Sequence, residues 1–284
     1  MLHRSTIQLL RFHFSFFLLP VYLFALSQVT SISWHTAFFV FLILHLLVYP
    51  SSNGYNSYMD KDETPIGGLS KPLQPTKQLF TITVVMDVLA IVLSVFISTV
   101  FAAGVVIYIL VSRSYSYRGI RIKRFPITGF LAVFIFQGAL IFFITYHACS
   151  IDKTSTVPSL PLIISSLLIG ALYPLTQIYQ HEADINDGVK TLSYVLGKKG
   201  TFIFSMCLFL LATVLMYLLF EQSNLNYFYL YLLVLLPTVL FFLYWIYKVW
   251  MSDAAADFKH SLLMNILSTL CTSIFFTTLI ILNH

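Results

Sequence analysis

Stretches of about twenty Leu, Ile, Val, Phe and Ala residues recur along the chain, separated by short polar segments. A helix needs about 20 mostly apolar residues to cross the hydrocarbon of a bilayer. By that ruler the pattern predicts nine spans, centred near residues 19, 42, 88, 106, 137, 168, 210, 238 and 271. Only a small uncharged turn near Ser98 and Thr99 separates the third from the fourth. A single kinked helix over residues 79–111 competes there, but it is too long for one span even when tilted. The first run follows the basic start MLHRSTIQLLR, which also describes a secretory signal. The run continues through Pro20 to about Leu26, longer than a signal core, and no small-x-small cleavage site follows, so a retained span is expected.

Composition agrees with this pattern. Of 284 residues, 58% are hydrophobic, and the mean hydropathy is +0.87. That is more apolar surface than a soluble core buries. The expectation is an all-α, polytopic integral membrane protein, a helical bundle forming one domain over residues 1–284. Assigning alternate loops to alternate sides places Arg4, Arg11, Lys61, Lys71, Lys77, Arg113, Arg118, Arg121, Lys123, Arg124, Lys190, Lys198, Lys199, Lys248 and Lys259 on one face, and only Lys153 on the other. This asymmetry marks the first face as cytoplasmic, with the N-terminus inside and the C-terminus on the opposite side. Eight or ten spans would scatter these charges. The net charge of +5 therefore reports topology. No nucleic-acid partner is implied, because no groove-reading motif or soluble basic domain is present. Cys149, Cys207 and Cys271 lack metal-type spacing, and a disulfide within the spans is not expected.

Two acidic loops share the cytoplasmic face, four spans apart, which hints at two related four-helix halves. The first is NGYNSYMDKDET, residues 53–64. If the second helix continues past Pro50, Asn56 and Asp60 stand at i and i+4 on one face, with Thr64 next and Asp62 and Glu63 flanking it. The second loop is QIYQHEADINDGVKTLSYVLG, in which Gln180, Asp184 and Asp187 share a helical face bordered by Gln177 and His181. A lone acidic loop is most often a solvated face. Two at helical spacing on one side form a set of hard oxygen ligands, and Mg²⁺ is usually held by one or two carboxylates with waters and substrate phosphates.

The segment SRSYSYRGIRIKRFP adds Arg118, Arg121, Lys123 and Arg124 on the same side. Such cations can neutralise phosphoryl oxygens as a leaving group departs, or they can fix topology and touch anionic lipid. Asp87 is the one carboxylate deep inside a span, where an ionisable group suggests function by default. The competing reading makes it protonated or bonded to a neighbouring helix near Gly138 or Ser165. Gln137, Thr145 and Asn265 are expected to be interhelical hydrogen-bond partners. The 27 Phe and 17 Tyr mostly suit lipid contact and interfacial belts.

These residues resemble the UbiA superfamily of intramembrane prenyltransferases, over nearly the whole chain. That family has nine transmembrane helices, an Asn-x-x-x-Asp-x-x-x-Asp motif after the second and an Asp-x-x-x-Asp motif after the sixth. Asn56 and Asp60 match the first motif, whose third position falls on Thr64. Asp184, with Gly188 and the VKTL that follows, matches the end of the second, whose first aspartate falls on Gln180. Lys71-Pro72-Leu73 is similar to the Arg-Pro-Leu downstream of the first motif, and YSYRGIRIKR to the family's Tyr-containing basic loop.

The resemblance implies a UbiA-like bundle that transfers an isoprenyl group from a prenyl diphosphate to an aromatic or lipidic, hydrophobic acceptor, with Mg²⁺ as cofactor and the bilayer as surroundings. It assigns catalysis to Asn56, Asp60 and Asp184, and metal binding to Asp60, Asp62, Glu63, Gln180, Asp184 and Asp187. Diphosphate binding falls to Lys71, Arg121, Lys123 and Lys190, and the substrate pocket to Asn53, Tyr115, Tyr117, Gln177 and His181. With a carboxylate missing from each motif, the alternative is a non-catalytic isoprenoid- or lipid-binding protein, or a carrier, that retains the fold. A transporter would place charged residues and discontinuous helices near the midplane, whereas here the acids gather at one surface.

Overall fold

The computed structural model describes residues 2–284. Among them, nine helices are long and apolar enough to cross a membrane. They are α1 (Arg4–Gln28), α2 (Trp34–Asp60), α3 (Lys77–Val95), α4 (Thr99–Ser116), α5 (Pro126–Cys149), α6 (Ser159–Gln177), α8 (Leu192–Glu221), α9 (Leu225–Met251) and α10 (Phe258–Asn283). A short helix, α7 (His181–Asn186), lies between α6 and α8. No strand occurs among the described residues. The turn at Ser98 does divide α3 from α4, because the Ser98 hydroxyl caps α4 by accepting from the Phe101 amide at 3.0 Å.

Aromatic packing holds the bundle together. Phe24 of α1 stacks on Phe276 of α10 with centroids 4.5 Å apart, and it meets Phe142 of α5 edge-on at 5.2 Å. All three rings are fully buried. At Gly138 the helices α5 and α6 approach so closely that an added Cβ would lie 2.4 Å from Ser166 Cα. The three cysteines are free.

Helix irregularities lie where the chain must change direction. Helix α2 does continue past Pro50, through a wide π-type turn over Ile43–Val48. Pro50 has no N–H to give the preceding turn, and the wider turn accommodates the missing bond. Helix α2 ends at Asp60, because Lys61 adopts a left-handed conformation (φ 56°, ψ 41°). Thr64 is therefore not the next position on the face of Asn56 and Asp60, a correction to the continuous-helix expectation. Helix α8 is kinked at Gly197, whose φ of 67° suits glycine.

Asp87 is paired, and its partners differ from those expected. Its carboxylate bonds Arg113 of α4, with Nε to Oδ2 at 2.8 Å, and it accepts from the Ser51 hydroxyl of α2 at 2.5 Å. The Arg113 guanidinium lies 4.0 Å from the Tyr55 ring centroid and donates to Thr83 Oγ1 at 3.2 Å. The cluster ties α2, α3 and α4, away from Gly138 and Ser165. Two other polar expectations also fail. Asn265 bonds the Ser261 carbonyl of its own helix at 3.0 Å, and the buried Thr145 hydroxyl has no partner.

Candidate active site

Both acidic segments line one cavity of about 190 Å³. Asn53, Asn56, Asp60 and Asp62 come from α2 and the segment after it, and Gln180 and Asp184 from the start of α7. Lys123, Tyr115 and Gln177 complete the predicted residues that face it. Glu63, Lys71, Tyr117, His181 and Lys190 are not in the lining, and neither are Arg121 and Asp187, which stand behind it.

Asp60 is held by basic neighbours. Its side chain is only 4% exposed. Asn56 Nδ2 donates to Oδ2 at 2.8 Å, Lys123 Nζ donates to the same oxygen, and Arg121 Nη2 stands 3.6 Å from Oδ1. Asn56 also donates to Ser116 Oγ at 3.0 Å, which fixes α2 against α4. Asp187 takes a second cationic group, pairing with Arg121 and with Arg118 Nη1 at 3.0 Å. Arg118 Nε reaches back to the Met59 carbonyl at 2.8 Å, so the basic segment clamps both acidic loops. Arg124 instead lies over the Phe125 ring, 4.6 Å from its centroid.

The second loop departs from one continuous helical face. Gln180 sits ahead of α7 and donates Nε2 to the Pro65 carbonyl at 3.1 Å, joining the two loops directly. Asp184 turns to the cavity, Asp187 to the arginines, and His181 to Ser193 Oγ at 2.8 Å. Downstream of the first motif, the Lys71 carbonyl and the Leu73 amide are strapped to Gln8 of α1 at 3.2 and 2.9 Å, and the Lys71 side chain is exposed.

The Asp62 and Asp184 side chains line the cavity and take part in no hydrogen bond or ion pair among the described residues. Burial, joined by the Asp60 charge, pushes Asp62 up to about 6. Burial pushes Asp184 up to about 7, against Lys123 and with the charges of Asp62, Asp60 and Asp187. For Asp187, burial is outweighed by the hydrogen bonds from Arg121 and Arg118, which hold it below the usual carboxylate range. Burial also lowers His181, to about 4, keeping it neutral at neutral pH.

Several lining residues carried no motif signal. Arg11 is 5% exposed and joins α1 to the first loop, donating to the Gly67 and Asn53 carbonyls at 3.2 and 3.1 Å. Its left-handed backbone interrupts α1. Like Asp87, Arg11 is an ionisable group within a span, a placement that suggests function by default. Tyr173 bonds Tyr115 through their hydroxyls and accepts from Gln177 Nε2 at 2.9 Å; a tyrosine inside an apolar helix offers no pattern to find.

A second cavity, also of about 190 Å³, is almost wholly apolar. Helices α1 and α6 contribute to both cavities: Phe14 and Tyr173 face the polar one, Phe17 and Leu172 the apolar one. Helices α8, α9 and α10 complete the apolar walls with residues such as Phe209, Phe242 and Phe276.

The donor set suits Mg²⁺. Hard carboxylate and amide oxygens converge on one cavity, the buried Asp60 Oδ1 and Gln177 Oε1 lack hydrogen-bond partners, and two carboxylates are unpaired. No group of three His, Cys, Asp or Glu side chains forms a ready-made metal cluster among the described residues; Mg²⁺ carried with a diphosphate does not require one.

Comparisons with known proteins agree with this architecture. The chain's fold is similar to that of a UbiA homolog from Archaeoglobus fulgidus bound to DMAPP and Mg²⁺, at 16% identity and a TM-score of 0.68, covering 97% of this chain and 99% of that chain. A UbiA homolog from the same organism bound to GPP and Mg²⁺ matches at 16% identity and TM-score 0.67, with 97% and 99% covered. The apo structure of a UbiA homolog from Aeropyrum pernix K1 matches at 18% identity and TM-score 0.69, covering 95% of this chain and 97% of that chain. No curated protein matches the sequence. The pattern of the UbiA prenyltransferase family matches residues 15–269. With nine bilayer-length helices and that match, this multi-pass integral membrane protein belongs to the UbiA prenyltransferase family.

Proposed function

We propose that the protein is a membrane prenyltransferase that moves an isoprenyl group from a prenyl diphosphate to an aromatic or lipidic acceptor, with Mg²⁺. The observation that carries this reading is the meeting of Asn56, Asp60 and Asp62 with Gln180 and Asp184 around one cavity, beside Lys123 and Arg11. The apolar cavity bordering the same helices offers room for a prenyl chain. The similar structures bound to DMAPP or GPP with Mg²⁺ support the same donor class.

In this reading Asp62 and Asp184, with the Gln180 amide oxygen, hold the ion. When bound, Mg²⁺ supplies positive charge that stabilises the diphosphate as it leaves. Lys123 and Arg11 face the diphosphate and add charge that a buried site makes effective. Asp60 and Asn56 orient Lys123, and Asp187 orients Arg118 and Arg121. The C–O bond at C1 of the prenyl chain breaks with its electron pair going to the diphosphate. The acceptor atom then bonds C1 and loses a proton. Fifteen of the sixteen Lys and Arg residues fall on one side, which orients the polar cavity and the N-terminus to the cytoplasm.

The test is to incubate the purified protein with Mg²⁺, labelled prenyl diphosphates of several lengths and a membrane lipid extract. The expected result is a labelled lipid-soluble product together with an equal amount of diphosphate. Tight binding with no release would favour the carrier reading.

A further inference from the structure

We infer that the apolar cavity is a binding site for a neutral lipid that carries a hydrogen-bond-accepting oxygen within its hydrocarbon body, held by the hydroxyls of Ser205 and Thr238. This goes beyond the prenyl diphosphate, whose hydrocarbon chain has no oxygen to offer those hydroxyls.

The hydroxyls carry the argument. Ser205 of α8 and Thr238 of α9 both line the cavity, are 2% and 4% exposed, and leave Oγ and Oγ1 without a hydrogen-bond partner. A buried hydroxyl left unpaired is costly, and most find a partner. Bonding back to the helix's own carbonyls is open to residues of the same wall. Ser165 donates to the Leu162 carbonyl at 2.8 Å, and Thr272 to the Ser268 carbonyl at 2.5 Å. Ser205 and Thr238 do not take that route, so their donors are free for an occupant of the cavity beside them. Ser268 and Thr269 of α10 add two more hydroxyl side chains to the lining.

The character and depth of the wall define the ligand class. No charged side chain lines the cavity among the described residues, and a bare ion in such surroundings is strongly disfavoured. Thr238 stands midway along α9 and Ser205 near the middle of α8, about 20 Å from the helix ends. In a hydrocarbon layer about 30 Å thick, that is remote from the headgroup and ester oxygens of ordinary phospholipids. The matching oxygen is therefore one carried deep in an uncharged lipid, such as a ketone or ether.

The test adds a long-chain ketone, isotope-labelled at its mid-chain carbonyl, to purified full-length protein in detergent without Mg²⁺ or prenyl diphosphate. The carbonyl infrared band is followed. The expected result is a hydrogen-bonded component at lower frequency that saturates at one ketone per chain. An alkane of equal length should displace it at least about fivefold less effectively, the scale of one hydrogen bond. Ser205→Ala/Thr238→Val removes both hydroxyls and should lose the component and bind the ketone about fivefold or more weakly. Because those hydroxyls are unpaired, this variant should unfold no earlier than the wild type. Thr238→Ser keeps the hydroxyl and should keep the component.

No shifted component in the wild type, an unchanged component in the double variant, or equal displacement by the alkane would overturn the assignment. Any of these would leave the donor chemistry of the polar cavity untouched, since neither Mg²⁺ nor diphosphate enters the measurement.

Discussion

The Lys123 ammonium donates to the Asp60 carboxylate, joining the segment after α4 to the last residue of α2 with both side chains nearly buried, 11% and 4% exposed. Removing one partner of such a pair strands a charge, at a cost of about 3 kcal/mol or more. Arg121 stays near Asp60 and limits the loss. Lys123→Met should therefore lower thermal stability in detergent, and Asp60→Asn/Lys123→Met should recover most of it. Turnover should stay low in both, since Lys123 faces the proposed diphosphate site. Full turnover in either variant would remove Lys123 from the chemistry.

Asp87 and Arg113 make a second pair, outside the cavity lining. Asp87→Asn or Arg113→Met alone should destabilise by about 3 kcal/mol, as expected for a broken buried pair. The double variant should be milder than the sum of the two. Turnover per folded molecule should stay near wild type, as a double-mutant cycle read by unfolding and activity would show. A selective loss of activity in a stable Asp87→Asn protein would instead give that carboxylate a role with substrate.

Close helix contact at Gly138 gives a packing prediction. An added methyl meets the Ser166 backbone at 2.4 Å, which no side-chain rotation relieves. Gly138→Ala should cost about 1–3 kcal/mol by overpacking, read as a lower unfolding temperature. Gln137 beside it lines the polar cavity, so activity should fall too.

Acidity at Asp62 and Asp184 predicts a pH dependence. Their folded-state values of about 6 and about 7 stand above the ordinary 3.8. The folded, metal-free protein therefore binds more protons than the unfolded chain between these limits. The resulting stabilisation is complete below about pH 4 and is lost as pH rises through 6 to 7. Mg²⁺ must displace the same protons. Metal affinity should rise across pH 6 to 7 with proton release, measurable by calorimetry in buffers of different ionisation enthalpy. A flat affinity from pH 5.5 to 7.5 would contradict the assignment.

Much of this architecture is legible in the sequence, because span length is set by the bilayer and written as apolar run length. The turn at Ser98 is readable for the same reason, and so is the i, i+4 relation of Asn56 and Asp60 that α2 preserves. The end of α2 is not readable: nothing in MDKDET states that Lys61 turns left-handed and takes Thr64 off the face. Nor does helical spacing reveal that Gln180 bonds Pro65, Asp187 pairs with the arginines and Asp184 faces the cavity, since those directions depend on the segments across the site. Asp87 was visible as an anomaly, but its partner 26 residues away depends on how α3 packs on α4. Arg11 was visible only as a topological charge, although it anchors the first loop.

The most direct measurement of the central claim is the rate of diphosphate release from a labelled prenyl diphosphate, with and without Mg²⁺. It should compare the wild type, Asp184→Asn and, as a control acid outside the cavity, Asp253→Asn. Mg²⁺-dependent release should be matched by Asp253→Asn and should fall about 100-fold in Asp184→Asn, the scale of a lost electrostatic contribution to leaving-group departure. Equal release by Asp184→Asn and the wild type would contradict a shared role for the two acidic segments.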